Sequence, residues 1–309
     1  MEHTVQPLII EKLNKTLGKA HIIKDMSFAL ERGRIYGFLG PNGSGKTTTI
    51  RMIVSLIQPD SGDVLIEGKS VRTDREQALR HIGAIVEDPD LYPYLTGKQN
   101  LIHFAGMSAQ SISASRIEEV VKLVELEHAI NKKVKAYSLG MKQRLGIAVS
   151  LLHSPSVLIL DEPTNGLDPK GIRELRDYLK RLAKEDGVTL LVSSHQLSEV
   201  ETLCDRAVII KAGQVVDEVS METSATNVSD VTVLIEAKPQ AKAIQILSNY
   251  GPVKETKAGI EVGKQSHDTI PALIKALVDQ DVAVFSSTYK RKLEDAYFLL
   301  TEEEGGEAS

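Results

Sequence analysis

Residues 35–48 read IYGFLGPNGSGKTT, and this stretch decides the fold. Gly40 to Thr47 satisfies the pattern G-x-x-x-x-G-K-[ST], in which glycines allow backbone N–H groups to turn inward around phosphate oxygens. The apolar run before the loop reads as a short strand. Ile50, Ile53, Val54 and Ile57 after it mark one face of a helix expected to stop before Pro59. A helix that opens directly after the loop adds the positive end of its dipole to the same site. A glycine turn without a ligand would need neither flanking element. The reading therefore assigns Gly40, Pro41, Asn42, Gly43, Ser44, Gly45, Lys46, Thr47 and Thr48 to the phosphates of a nucleotide. Lys46 would reach the β- and γ-phosphates, and the Thr47 hydroxyl would coordinate Mg²⁺.

A second site is expected at VLILDEP, 157–163, where four apolar residues of a buried strand run into Asp161 and Glu162. Adjacent carboxylates at a strand's end are costly unless they meet a cation or a proton-transfer task. Asp161 suits the metal, through water, and Glu162 suits a base that polarises the attacking water. An acidic, proline-punctuated turn is the competing reading, which the neighbouring glycine loop disfavours. In TLLVSSHQ, 189–196, His195 follows an apolar strand, at the edge where parallel α/β sheets bind ligands.

Farther out, short apolar strands at 36–39, 157–160, 190–193 and 207–210 alternate with helical patterns, as in an α/β domain with a largely parallel sheet. Residues 97–153 break the rhythm and predict a helical insertion. Its last helix opens within KAYSLGMKQRL, 135–145, where Ser138 suits an N-cap. Met141, Leu145, Ala148, Val149 and Leu152 would form its one apolar face. The small, polar METSATNVS, 221–229, reads as a linker. Beyond it, VTVLIEA, a helix near 240–248, VKETK with GIEVG, a helix near 270–278 and VAVFSST give the order β-α-β-β-α-β, compatible with a small ferredoxin-like domain. KLEDAYFLL, 292–300, reads as a last helix before the acidic TEEEGGEAS. In this half His267 is isolated and Asp268 is expected to cap the next helix.

The 309 residues suit two domains, and 42% hydrophobic content suffices for buried cores. The 42 acidic and 37 basic residues are well mixed, which argues against the basic face of a nucleic-acid binder. One cysteine, Cys204, excludes an internal disulfide framework and fits a reducing compartment. The N-terminus lacks a signal-peptide pattern, and no apolar run approaches the ~18 residues of a membrane span. A cytosolic chain that meets a membrane only through a partner is the expectation.

Together these residues resemble the nucleotide-binding subunit of an ABC transporter, over residues of about 5–220. The family's Walker A motif matches GPNGSGKTT, Walker B matches VLILDE, the D-loop matches NGLD with Asp168, and the switch histidine matches His195. The signature, usually LSGGQ, aligns with Tyr137-Ser138-Leu139-Gly140-Met141, which retains Ser138 and Gly140. The resemblance implies an α/β P-loop NTPase of the ABC ATPase type, with a mainly parallel sheet and a helical signature subdomain at about 97–153. The ATPase domain would span 1–220, with the ferredoxin-like accessory domain at 230–309 in a regulatory, dimer-contacting or structural role. It implies ATP and Mg²⁺, with hydrolysis assisted by Glu162, His195 and Lys46. It also implies a head-to-tail dimer with a second copy, in which Ser138 and Gly140 face the γ-phosphate held by the other chain. A separate transmembrane permease would place the protein at the cytoplasmic face of the membrane, and no nucleic acid is implied.

Two further positions, outside the signature, depart from the family pattern. In IGAIVEDPDLYPYLTGKQNL, 82–101, Glu87 stands where the Q-loop usually has glutamine. Leu17 stands where many relatives carry an aromatic that stacks on adenine. Glu87 and YSLGMKQRLGIA are similar to the bacitracin-resistance and lantibiotic-immunity group, which implies export of a peptide antibiotic. A lipid or small-drug cargo is the alternative. A soluble, non-transport ABC switch is a further one, opposed by the lack of a second cassette or long coiled-coil insert.

Overall fold

The computed structural model describes residues 6–87, 89–221, 231–256, 259–265 and 267–290. The chain divides into two units, Met1–Glu218 and Val219–Ser309. The first opens with a hairpin of β1 (Leu8–Leu17) and β2 (Ala20–Leu30), then β3 (Ile35–Leu39) and α1 (Lys46–Ile53) on either side of the glycine loop. Strands β4 (Ser61–Ile66) and β5 (Lys69–Ser70) extend the hairpin into a four-stranded sheet ordered β2-β1-β4-β5. After α2 (Arg75–Leu79) and β6 (Ile82–Ile85) come the inserted helices α3 (Gly97–Met107), α4 (Ala114–Leu123) and α5 (Leu139–Leu151). The unit is completed by β7 (Val157–Asp161), α6 (Pro169–Lys184), β8 (Thr189–Ser194), α7 (Leu197–Leu203), β9 (Arg206–Lys211) and β10 (Gln214–Ser220).

Six of these strands form the main sheet, in the order β10-β9-β3-β8-β7-β6. All pairs from β9 to β6 are parallel. Every residue of β3, β7 and β8 is buried, as expected of parallel strands covered on both faces. Because the strands are parallel, their carboxyl ends share one edge, and β8 lies between β3 and β7 there. Leu39 pairs with Ser194, and Asp161 pairs with Ser193. The glycine loop, the Asp161-Glu162 pair and His195 are thereby delivered to one place.

One core joins this sheet to the smaller one, with Leu8, Phe28, Phe38, Ile50, Ile53, Val64 and Ile159 among its buried members. The Phe28 and Phe38 rings meet at 5.4 Å between centroids across that seam. Truncating a fully buried ring in such a core costs about 3–5 kcal/mol.

The second unit contains β11 (Val231–Lys238), α8 (Gln240–Leu247), β12 (Val253–Thr256), β13 (Gly259–Gln265), α9 (Ile270–Val278) and β14 (Ala283–Lys290). Its antiparallel sheet is ordered β12-β13-β11-β14. Val233, Ile235, Ile260 and Val262 on that sheet share a buried core with Ala243, Leu247, Leu273 and Leu277 of the two helices. The helical pattern expected at 292–300 and residues 222–229 of the expected linker lie outside the described residues.

Three sequence expectations change. Helix α1 ends at Ile53 instead of running on toward Pro59, because Ser55 takes a left-handed φ of 58°. Its N–H bonds to Met52 O at 3.0 Å and that of Leu56 to Arg51 O at 2.8 Å, a Schellman closure that leaves Ile57 beyond the helix. Helix α5 is not one-faced: Gln143, Gly146, Ile147 and Ser150 are buried as well as Leu145 and Ala148. It runs through the interior between the insertion and the sheet, so the burial extends around it. The cap position of α9 is Thr269, while Asp268 belongs to the preceding 3-10 turn.

Candidate functional site

The turn that begins α1 depends on Gly45, which adopts φ 105°. That φ favours glycine, and a Cβ there would lie 2.5 Å from Ile23 Cδ1, so the Ile23 side chain would have to shift. The loop then folds over Lys46, whose Nζ donates to Gly40 O at 2.6 Å and to Pro41 O at 3.3 Å. Burial pushes the Lys46 pKa below the ordinary lysine value, opposed by the nearby Glu162 and Asp161 carboxylates.

Asp161 is buried, and its two oxygens are both engaged. Thr47 Oγ1 donates to Oδ2 at 3.2 Å, and Ser193 Oγ donates to Oδ1. The same Ser193 oxygen accepts the N–H of Glu162 at 2.9 Å, so one hydroxyl from β8 grips both acidic residues at the end of β7. A hydroxyl and a carboxylate converging in this way are hard oxygen donors of the kind that suit Mg²⁺ shared with phosphate oxygens. Among the described residues, no group of three or more His, Cys, Asp and Glu side chains could hold a metal by itself.

Glu162 has a left-handed φ of 48°, which turns the chain sharply out of the strand. Its Oε2 lies 2.7 Å from His195 Nδ1, with both side chains partly open to solvent. These two residues, Lys46, Thr47, Thr48, Asn42, Gly43 and Gly45 line one cleft of about 550 Å³, together with Asn165. Leu17 and Ile22 add apolar side chains to the lining, and among the described lining residues there is no Phe, Tyr or Trp. Sequence reading took Asp168 alone from NGLD and so missed Asn165, and it missed Ser193 because strand register, not a motif position, places that hydroxyl beside Asp161.

Three other expected site residues stand elsewhere. Ser138, Gly140 and Asp168 line a separate concavity of about 350 Å³ with Gln143, Arg144 and Leu167. Ser138 caps α5, accepting the N–H of Met141 at 3.3 Å, and Asp168 caps α6, accepting that of Gly171 at 2.8 Å. The residues beside the two caps approach closely: a Cβ on Gly166, which has φ 74°, would lie 2.7 Å from Leu139 Cδ2, and one on Gly140 would lie 3.6 Å from Leu167 Cδ2. Glu87 lines neither space. It has φ 68° and forms an exposed ion pair with Arg51 of α1.

With that geometry in place, comparison with known proteins gives a consistent result. Residues 23–165 match the family model "ABC transporter". An uncharacterized ABC transporter ATP-binding protein of Bacillus subtilis, YdbJ, is 47% identical over 98% of this chain and 99% of its own. The bacitracin transport ATP-binding protein BcrA of Bacillus licheniformis is 46% identical over 68% of each chain. The lantibiotic transport ATP-binding protein SrtF of Streptococcus pyogenes is 42% identical over 68% of this chain and 90% of its own. Among solved structures, cbiO1 of Clostridium perfringens, part of the ABC transporter complex cbiONQ, superposes with a TM-score of 0.65 and 30% identity, covering 72% of this chain and 92% of its own. A dimeric post-hydrolysis structure of the ATP-binding cassette MJ0796, bound to ADP and Pi, gives 0.61 and 28%, covering 69% and 98%.

Proposed function

We propose how this chain works from the premise that it belongs to the ABC transporter ATP-binding proteins and is an ATPase. In our reading the 550 Å³ cleft holds ATP, with the phosphates on the loop from Gly40 to Thr48. Lys46 would leave the loop carbonyls for the β- and γ-phosphates, and Thr47 and Asp161 would hold Mg²⁺, which would neutralise charge developing on the phosphoryl oxygens. Glu162 orients and polarises the attacking water, and His195 orients Glu162 and meets the γ-phosphate. The carrying observation is the 2.7 Å contact between His195 Nδ1 and Glu162 Oε2 beside the loop. Leu17 and Ile22 would contact the base by apolar packing in place of ring stacking.

Ser138, Gly140 and Asp168 stand apart from this cleft, which supports their use on a second copy. A head-to-tail dimer would bring the start of α5 to the γ-phosphate held by the other chain. That the MJ0796 cassette is dimeric supports the pairing of two copies. No described helix is long and apolar enough to cross a membrane. We therefore assign transport to a separate permease, with this chain at its cytoplasmic face. Residues 219–309 form an accessory domain, and the strand order β12-β13-β11-β14 supports a ferredoxin-like arrangement for it.

For the cargo, the likeness to BcrA and SrtF supports a peptide antibiotic of the bacitracin or lantibiotic type. Glu162→Gln should reduce Mg²⁺-dependent turnover by about 10²-fold or more and accumulate ATP-bound dimers. Undiminished turnover refutes the assignment of the base. Deleting the chain together with the permease that co-purifies with it should sensitise cells to bacitracin or a lantibiotic. Unchanged sensitivity removes the cargo reading and leaves the ATPase intact.

A further inference from the structure

The reaction as described uses Glu162 and His195, but these residues stand on two different loops, after β7 and after β8. Ser193 ties the backbone of Glu162 to β8. A second tie lies farther from the cleft. Glu199, on α7, accepts two hydroxyl hydrogen bonds on the same oxygen: Oε2 lies 2.8 Å from Thr164 Oγ1 and 2.9 Å from Ser194 Oγ. Thr164 is two residues beyond Glu162, and Ser194 immediately precedes His195. Ser194 Oγ also accepts the N–H of Gln196 at 2.9 Å, which spans His195 from the other side. One carboxylate therefore holds the chain that carries the base and the chain that carries the histidine.

We propose that Glu199 is a positioning residue for hydrolysis, fixing the Glu162 and His195 loops against each other so that the 2.7 Å contact between them persists. A carboxylate suits this task because it is an acceptor only and can take both hydroxyls at once. Hydrogen bonds to an ionised acceptor are roughly twice as strong as neutral ones. Ser194 is buried and Thr164 and Glu199 are half-buried, so water competes poorly for these bonds. Glu199 does not line the ATP cleft, so its loss should alter turnover more than ATP affinity.

The inference rests on Glu162 and His195 being the hydrolytic pair, and the experiment separates the two. Full-length Glu199→Ala, Glu199→Gln, Thr164→Val and Glu162→Gln are compared for MgATP turnover, KM for ATP and thermal midpoint. Glu199→Ala should lower kcat by about tenfold with KM for ATP within about twofold of wild type. Glu199→Gln, which keeps an acceptor oxygen in place, should recover most of the loss. Thr164→Val should lower kcat in the same direction, and adding it to Glu199→Ala should cost little more, because both remove one link. Wild-type turnover in both Glu199→Ala and Thr164→Val, with Glu162→Gln inactive, overturns the role of Glu199 alone. Additive losses in the double variant, or equal changes in kcat and KM, overturn it too. An active Glu162→Gln overturns the underlying reading. If Glu199→Ala does not fold, the kcat and KM of Thr164→Val decide by the same criteria.

Discussion

The Lys46 ammonium rests on two carbonyls of its own loop and is buried, with its pKa held below the ordinary 10.5 by desolvation. A lysine whose folded pKa is depressed opposes folding while it is charged. That cost is present at neutral pH and fades as the pH rises through the folded value toward 10.5. Lys46→Met keeps the apolar stem and removes the charge, so the thermal midpoint without nucleotide should stay level or rise, while stabilisation by MgATP disappears. Thermal scans with and without MgATP check both. A midpoint several degrees lower without ATP would make Lys46 a structural residue instead. Lys46, Thr47, Asp161, Glu162 and His195 were legible in the sequence because each sits at a fixed place in a motif. Ser193, Thr164 and Glu199 were not, since a serine or glutamate beside a strand end is common. The pairing of Asp161 with Ser193 brings the Ser193 hydroxyl within reach of the acidic pair. The left-handed conformations of Glu162 and Glu87 are likewise invisible to residue type, because glutamate has no preference for them.

At the scale of elements, the strands at 36–39, 157–160, 190–193 and 207–210 were legible because buried parallel strands are continuous apolar runs. The surroundings of α5 were not, because its burial comes from both the insertion and the sheet. Its C-terminal end shows how they meet. The Arg116 guanidinium from α4 donates to Leu151 O at 2.8 Å and Leu152 O at 3.4 Å. His153 Nε2 reaches Ile82 O, at the start of β6, at 2.9 Å. Burial lowers the His153 pKa below 6.5; the Ile82 carbonyl opposes this, and the nearby Arg116 and His81 charges add to it. Here the unfolded chain takes up the proton more readily than the folded one. The stabilising difference is complete above 6.5 and is lost as the pH falls from there toward the folded value. Wild-type protein should therefore lose thermal stability between about pH 7.5 and pH 5.5, and His153→Gln should lose less over the same range. Parallel melting curves against pH for the two proteins would contradict this account of the seam.

For the whole molecule, the lengths of the likenesses divide the functional argument. YdbJ matches over 307 residues, so both units are shared with it. BcrA matches over 213 residues, a smaller share of the chain. In the first unit the cleft proposed for ATP is separate from the concavity lined by Ser138, Gly140 and Asp168. Joining them across two copies is what ATP would accomplish, and Ser138 tests it. Ser138→Arg introduces bulk where the γ-phosphate of the other copy would lie. It also removes the cap on α5, at a cost of about 0.5–2 kcal/mol. Ser138→Asp serves as the control for folding, because aspartate caps a helix as well as serine does yet places a negative charge against phosphate. In the Glu162→Gln background, both changes should leave ATP bound to a monomer where Glu162→Gln alone gives a dimer. Light scattering on gel-filtered protein, with bound nucleotide quantified, reads both quantities. Dimers that persist with ATP in both double variants would remove Ser138 from the interface and leave it only as the cap of α5.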